Sequence, residues 1–381
     1  MSPKAPREAG IELGRIYCCF SVILIHLNGF YPTHHDISLL WSVAKCASTP
    51  VFFLIAGFFF AADKPFSLYM KRIAGRVLIP TLLVMLLIAQ LTPWLSSQGS
   101  FRDCLSGPNW ENFVLVIRIF LTTWPYDYVV DYNPFYPLWF TFALLLCYLA
   151  IPFLKIVCAE NPVSRSLKRY ILAIGVIFFV LRVTLLSFFP ANFAMQHLDW
   201  WIEQKPFYWL WLMIMGHEIA RYFKNPEFMA KWRRALVYLS LYVYLAGGLI
   251  LFLLTMNYCL EADGNVDNRF FNREFVFYLL AQLGMFLFFA SLQPSRGLLS
   301  RAILFVANKS FYVYILHAAV YLKLYQLTGW EQNSGWDFLG LGVLTFVLSL
   351  AIGTVFKKIE ELIAKRLQVR FFPKPVAREL A

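Results

Sequence analysis

The apolar residues of this chain fall into long blocks separated by short polar stretches. A membrane-spanning helix needs about 20 consecutive, mostly apolar residues. We identify ten such blocks: 12–31, 43–62, 77–97, 137–156, 170–189, 206–223, 236–256, 274–292, 302–325 and 337–356. Backbone groups find no water partner in lipid, so each block is expected to be a helix. The pattern predicts an all-α polytopic integral membrane protein with about ten transmembrane helices. A shorter apolar piece at 113–123 is predicted to be interfacial or re-entrant.

The first block carries two polar residues, Arg15 and His26, which are eleven positions apart. At about 100° and 1.5 Å per residue, they share one helix face and lie roughly 16 Å apart along the axis. Titratable residues inside a span are costly and are by default a functional hypothesis. Taken singly, each has an equally good alternative: Arg15 as a residue snorkelling at the helix end, and His26 as a hydrogen-bonded core residue.

The ninth block contains the stretch NKSFYVYILH. Its residues Ser310, Tyr314 and His317 fall within about 40° of one helix face. Counted from the inner end of the block, His317 is predicted at nearly the same depth as His26. Two imidazoles at one level on different helices favour a shared site.

Further cationic candidates follow along the chain. Arg72 and Arg76 are four residues apart on one predicted helix face, where two guanidiniums are able to hold phosphates bidentately. The alternative is plain anchoring at the membrane surface. Arg182 lies within the fifth block and must face a hydrated cavity, backbone carbonyls or a bound anion.

The longest polar segment, 98–136, is rich in aromatic residues and includes Asp127 and Asp131. Trp139 follows at the start of the fourth block. Aromatic planes with carboxylates suit carbohydrate hydroxyls, and long loops in compact proteins tend to be functional. An interfacial aromatic belt explains the same composition equally well.

Composition agrees with a membrane protein, since 60% of residues are hydrophobic and only 15% are charged, against about a quarter charged in soluble domains.

The net charge is +12. With ten alternating helices and a cytoplasmic N-terminus, 26 of the 34 Lys and Arg residues fall on inner segments and seven on outer ones. This asymmetry is the positive-inside pattern, so the charge reports topology and not a nucleic-acid partner. Both termini are predicted to be cytoplasmic.

The cysteines, the N-terminal segment, the acidic residues and one glycine lead to further expectations. The seven cysteines show no metal-ligand spacing, and no metal site is expected. Cys104 and Cys259 are both predicted on the outer side, and their pairing stays open. Residues 1–11 are polar and the first block lacks a cleavage site, so no cleavable signal is expected. Acidic residues near the inner helix ends, among them Glu218 and Glu360, are expected to be solvated, and Gly57 is expected to allow close helix approach.

Five motifs occur together in one order: Arg15 to His26, FFLIAGF, the double Arg before a Pro, PLWF, and SFYVYILH. In this combination the chain resembles the membrane acyltransferase-3 family of bacterial O-acyltransferases, from about residue 11 to 360. Three positions depart from the family pattern. The basic pair is four apart instead of three, Ala56 replaces the usual Ser before Gly57, and Pro137 stands where relatives often have His.

The resemblance implies one membrane acyltransferase domain over 1–381, with spans within 12–356 and a cytoplasmic tail at 357–381, in a bacterial inner membrane. It implies transfer of an acyl group, most often acetyl, from cytoplasmic acyl-CoA (acetyl-CoA) to a hydroxyl of a surface or lipid-linked glycan. Membrane lipids are the other expected partner.

The resemblance and the predicted depths together suggest residue roles. His26 is expected to act as a base or to form an acyl-imidazole, with Arg15 positioning the donor. On predicted depth alone, His317, Ser310 or Arg182 is expected to orient the base or to stabilise an oxyanion. CoA phosphates are assigned to Arg15, Arg72 and Arg76. The acceptor side is assigned to these residues: Arg182, Trp139, Asp127, Asp131, Ser310 and Tyr314. A secondary transporter and an inactive membrane anchor are the rival interpretations; the missing internal repeat weakens the first.

Overall fold

The computed structural model describes residues 9–27, 35–95, 100–105, 107, 110–114, 117, 137–188, 205–258, 275–293, 297–330 and 334–371. Within these ranges all regular structure is helical, as expected. In chain order the helices are α1 (Ala9–His26), α2 (His35–Cys46), α3 (Thr49–Phe58), α4 (Phe66–Ile73), α5 (Ile79–Leu95), α6 (Leu138–Leu149), α7 (Ile151–Val157), α8 (Pro162–Gly175), α9 (Arg182–Phe188), α10 (Lys205–Phe223), α11 (Pro226–Tyr258), α12 (Val276–Ser291), α13 (Leu298–Ala307), α14 (Ser310–Thr328) and α15 (Gly335–Phe371). A 3₁₀ turn covers Asp103–Leu105.

Five stretches of helix are long and apolar enough to cross a membrane, and two bent helix pairs raise the number to seven. The chain is therefore a multi-pass membrane protein. The ten spans and the cytoplasmic termini of the sequence analysis stay predictions.

Several predicted spans differ in detail because prolines and local breaks interrupt them. The block 43–62 is two helices, α2 and α3, with Pro50 in the first turn of α3. The fourth block bends by 56° between α6 and α7, and the ninth bends by 59° between α13 and α14. Proline is tolerated in a first helical turn because it has no N–H to donate. The segment expected as a tail begins as a continuation of α15, which ends only at Phe371.

Two π-helical segments lie within the bundle. The segment Ala74–Leu78 joins α4 to α5 and carries Arg76. The segment Val176–Leu181 joins α8 to α9 and ends immediately before Arg182. Short π-helices are rare and occur frequently at functional sites. Each segment therefore lies at a basic residue, Arg76 or Arg182, that the sequence analysis had already identified as a candidate.

The first helix occupies the centre of the bundle, packing against α2, α3, α12, α13, α14 and α15. We call the side at which α1 begins the near side and the opposite side the far side. Helix α14 runs parallel to α1, because Cys19 contacts Ser310 and His26 contacts His317 at the same sequence offset of 291. Parallel packing at a constant register holds these two helices together over two turns.

Helices α3 and α10 cross closely through glycines. A Cβ atom on Gly57 would collide with the carbonyl group of Met213, and one on Gly216 would collide with the carbonyl group of Leu54. The expected close approach at Gly57 is confirmed.

Two acidic residues expected to be solvated are instead bonded inside the protein. Glu218 forms ion pairs with the buried Lys168 and with Arg221, both at 2.7 Å. Glu360 accepts a 3.0 Å hydrogen bond from the Tyr312 hydroxyl and is only 9% exposed. Charged groups that leave water need such partners, and periodicity alone does not show which helices meet.

Candidate active site

The two histidines predicted at one depth are in direct contact. Nδ1 of His26 lies 2.6 Å from Nε2 of His317. His26 is the last residue of α1 and is partly buried, whereas His317 is 1% exposed. The two imidazoles therefore lie in one site, as expected, and are joined by a hydrogen bond.

The rings of this pair, which we call the histidine dyad, meet edge to edge. Their planes differ by only 7° and their centroids lie 4.9 Å apart. That separation equals the 2.6 Å nitrogen–nitrogen distance plus the two ring radii, so the rings are nearly coplanar and in line. An imidazole lone pair lies in the ring plane, so this is good geometry for a hydrogen bond.

A backbone carbonyl decides where the protons of the dyad lie. Nδ1 of His317 is 2.5 Å from the carbonyl oxygen of Tyr314. A carbonyl oxygen only accepts, so Nδ1 of His317 carries a proton and, in the neutral ring, Nε2 is the acceptor. Nδ1 of His26 must then donate to it. The basic lone pair of His26 is consequently on Nε2.

Aromatic rings connect the dyad to Trp139. The Tyr314 ring lies 5.8 Å from His317 and 4.7 Å from Phe140. Trp139 contacts Phe140 and Trp209 with centroids 6.3 and 6.2 Å apart. The structure thus places Tyr314 and Trp139 along one aromatic path that ends at His317.

At the near end of the same helix, Arg15 forms an ion pair that sequence analysis missed. Its Nη1 donates a 2.9 Å hydrogen bond to Glu12, whose side chain is only 3% exposed. The spacing of three residues was a visible signal, because such positions are neighbours on a helix. Glu12 is therefore part of the surroundings of Arg15.

Two of the three predicted phosphate-binding arginines influence the same tyrosine electrostatically. The phenol of Tyr148, at the end of α6, interacts electrostatically with both Arg15 and Arg76. Arg72 interacts in the same way with Tyr69, whose hydroxyl is bonded to the backbone of Ala61. Arg72 and Arg76 are exposed. A cationic surface therefore lies at the near side, about 16 Å below His26 along α1.

The remaining candidates lie apart from the dyad or outside the described ranges. The Ser310 hydroxyl donates to the carbonyl oxygen of Ala307 at 2.9 Å, two turns from His317. Arg182 begins α9, whose Thr184 hydroxyl accepts a hydrogen bond from the Val276 amide. Asp127 and Asp131 lie outside the described residues, as does Cys259, the proposed partner of Cys104.

No group of three or more His, Cys, Asp or Glu side chains suited to a metal ion occurs among the described residues. The candidate site among the described residues thus consists of the dyad, its aromatic neighbours and the near-side cations.

A helical membrane bundle with an in-plane histidine dyad and a cationic near side has the parts of a membrane-embedded transferase. Comparison with family models matches residues 8–356 to the acyltransferase domain of the acyltransferase-3 family. The chain belongs to this family and is an acyltransferase, as the sequence motifs had indicated. No characterised protein and no solved structure gave a significant match.

Proposed function

We propose that this protein transfers an acyl group, with acetyl the first candidate, from cytoplasmic acyl-CoA to a hydroxyl of a surface or lipid-linked glycan. The observation that carries the proposal is the hydrogen bond between His26 and His317, which leaves a defined basic nitrogen deep in a membrane bundle. The near side corresponds to the cytoplasm of a bacterial inner membrane, and the far side receives the acceptor.

The near-side cations supply the donor end. Arg15, Arg72 and Arg76 hold the CoA phosphates by charge-assisted hydrogen bonds, which are stronger than those between neutral groups. The extended pantetheine arm then reaches along α1 toward His26. Since Arg15 and His26 lie on one rigid helix, binding the phosphates also positions the thioester relative to the base.

In the chemical step, His26 acts as general base. The acceptor hydroxyl oxygen attacks the thioester carbonyl carbon while its proton moves to Nε2 of His26. The carbon–sulfur bond breaks, and the proton passes from His26 to the departing CoA thiolate. During the step, the imidazolium of His26 donates through Nδ1 to the neutral His317, which stabilises the transient charge. Trp139 and Tyr314 flank the acceptor's approach, and Arg182, Asp127 and Asp131 stay further acceptor-side candidates. Ser310, beside Cys19, lies two turns from His317 toward the near side, away from the acceptor.

The test is an acyl-transfer assay in membranes with isotopically labelled acetyl-CoA and the surface glycan of the native strain. We expect His26→Ala to lower the rate by about 10²–10⁴-fold, the usual contribution of general acid–base catalysis. His35→Ala is the matched control, because His35 is exposed at the start of α2 and its ring packs against that of Phe252. A His26→Ala enzyme that acylates at the parental rate would refute the mechanism, and label that never reaches glycan would refute the acceptor.

A further inference from the structure

Two buried polar side chains in the middle of the bundle make no hydrogen bond of good geometry with the described residues. Gln282 on α12 is 0% exposed, and neither its amide oxygen nor its amide nitrogen is hydrogen-bonded within the described part of the chain. Ser21 on α1 is 1% exposed, and its hydroxyl likewise has no hydrogen bond within the described part of the chain. An amide or hydroxyl buried without hydrogen bonds costs roughly 1–3 kcal/mol or more, so such groups normally have a partner.

Helix packing puts these two side chains opposite each other. Helices α1 and α12 are antiparallel, since a Cβ on Gly10 would collide with the carbonyl group of Leu292, whereas one on Gly14, a turn later, would touch the Phe289 side chain at 2.9 Å. Ser21 follows Gly14 by seven residues and Gln282 precedes Phe289 by seven. Seven residues are about 10.5 Å and return within about 20° of the same face.

Two phenols extend this polar region. The hydroxyls of Tyr17 and Tyr244 are 2.9 Å apart, and Tyr244 also donates to the carbonyl oxygen of Val43. Tyr17 lies one turn below Ser21 and is close enough to interact with it, without forming a hydrogen bond of good geometry. None of these four side chains is formally charged, so the region suits a neutral ligand with both donor and acceptor capacity.

We propose that Ser21 and Gln282 form an internal water-binding site between α1 and α12. A buried water makes about three hydrogen bonds, and the Gln282 amide and the Ser21 hydroxyl supply three unused groups. Ser21 is about 140° around α1 from His26, so this site lies behind the catalytic face. It is independent of the proposed acyl-transfer mechanism.

The experiment is X-ray radiolytic footprinting of the full-length protein in lipid nanodiscs in ¹⁸O-labelled water. Bound water activated by the beam labels adjacent side chains even where bulk solvent is excluded. The reporter is Met285, fully buried and one turn from Gln282. The comparison reporter is Met85, 1% exposed on α5 and one turn from Thr81, whose hydroxyl is already bonded to the Val77 carbonyl oxygen. We expect label at Met285 and none at Met85.

Variants separate bound water from general solvent leakage. Gln282→Leu should abolish the label at Met285, and Ser21→Ala should reduce it. Ser42→Ala is the matched control, because the Ser42 hydroxyl is already bonded to the Ser38 carbonyl oxygen at 2.8 Å. We expect Gln282→Leu to retain acyl transfer, which shows that the fold survives. An unlabelled Met285 in the parent protein, or a label that persists in a folded Gln282→Leu variant, overturns the proposal.

Discussion

At the scale of single residues, the dyad depends on a contact that no residue pattern displays, the one between His317 and the Tyr314 carbonyl oxygen. This contact determines the tautomer of His317, which in turn determines which nitrogen of His26 is basic. Helix periodicity and predicted depth singled out His26 and His317, but the direction of the hydrogen bond between them comes from the backbone of α14.

The positioning role of His317 leads to a kinetic prediction. In His317→Ala, His26 loses its acceptor and is free to adopt the wrong tautomer, so we expect kcat to fall at least about tenfold. The KM for acyl-CoA should stay near the parental value. His317→Gln retains an acceptor oxygen and should restore part of kcat. Equal kcat values and pH profiles in all three enzymes would contradict this role.

The ion pair of Arg15 with Glu12 predicts how stability should respond. In Arg15→Ala the nearly buried Glu12 carboxylate loses its guanidinium partner, and we expect unfolding free energy to drop by about 1–3 kcal/mol. Adding Glu12→Gln removes that charge and should recover part of the loss. Thermal unfolding in detergent measures both. If the double variant is no more stable than Arg15→Ala, the pair does not account for the loss.

At the scale of elements, sequence periodicity located the helices but not their interruptions. The blocks at 137–156 and 302–325 were predicted as single spans, and each contains a bend of more than 50°. The apolar pattern predicts which residues face lipid or the protein core, but it does not predict where a helix bends. Pro152 in the first turn of α7 was a readable signal, whereas the break before Ser310 had none as clear.

The π-helical segment at Ala74–Leu78 carries a prediction for donor binding. A π turn contains more residues than an α turn, yet four steps still return Arg76 to the face of Arg72. We expect Arg72→Ala with Arg76→Ala to raise the KM for acyl-CoA about tenfold or more, with kcat little changed.

The control for this pair is Arg165→Ala with Arg169→Ala, which removes two exposed arginines at the same spacing on α8. Steady-state kinetics with varied acyl-CoA distinguish the two. A similar rise of KM in both double variants would mean that the pair contributes only general surface charge.

The crossing of α3 and α10 is the element contact most sensitive to volume. Gly57→Ala places a methyl group against the Met213 carbonyl, and we expect a loss of about 1–3 kcal/mol from overpacking. Gly340→Ala is the control, since its nearest neighbour would be Trp330 at 3.5 Å. Midpoints of thermal unfolding compare them, and equal midpoints would show that α10 moves aside at no cost.

At the scale of the whole molecule, charge distribution and apolar pattern carry a topology prediction. The sequence predicts ten crossings with both termini in the cytoplasm, an arrangement that puts 26 of the 34 basic residues on inner segments. A fluorescent protein fused after Ala381 should fluoresce, and a phosphatase fused there should be inactive. A phosphatase inserted within 98–136 should be active. The reverse result at Ala381 would show an odd number of crossings.

The sequence by itself determined the membrane class, the helical composition, the family and the residues of the dyad. It did so because lipid imposes a length and an apolarity on each span, and because the motifs keep their order. Tertiary structure alone decided what those residues touch. The burial of Gln282, the ion pair of Glu12 and the hydrogen bonds of the His317 ring depend on which helices pack together and on side-chain geometry. Helical periodicity shows which face of a helix a residue lies on, but it does not show which residue faces it.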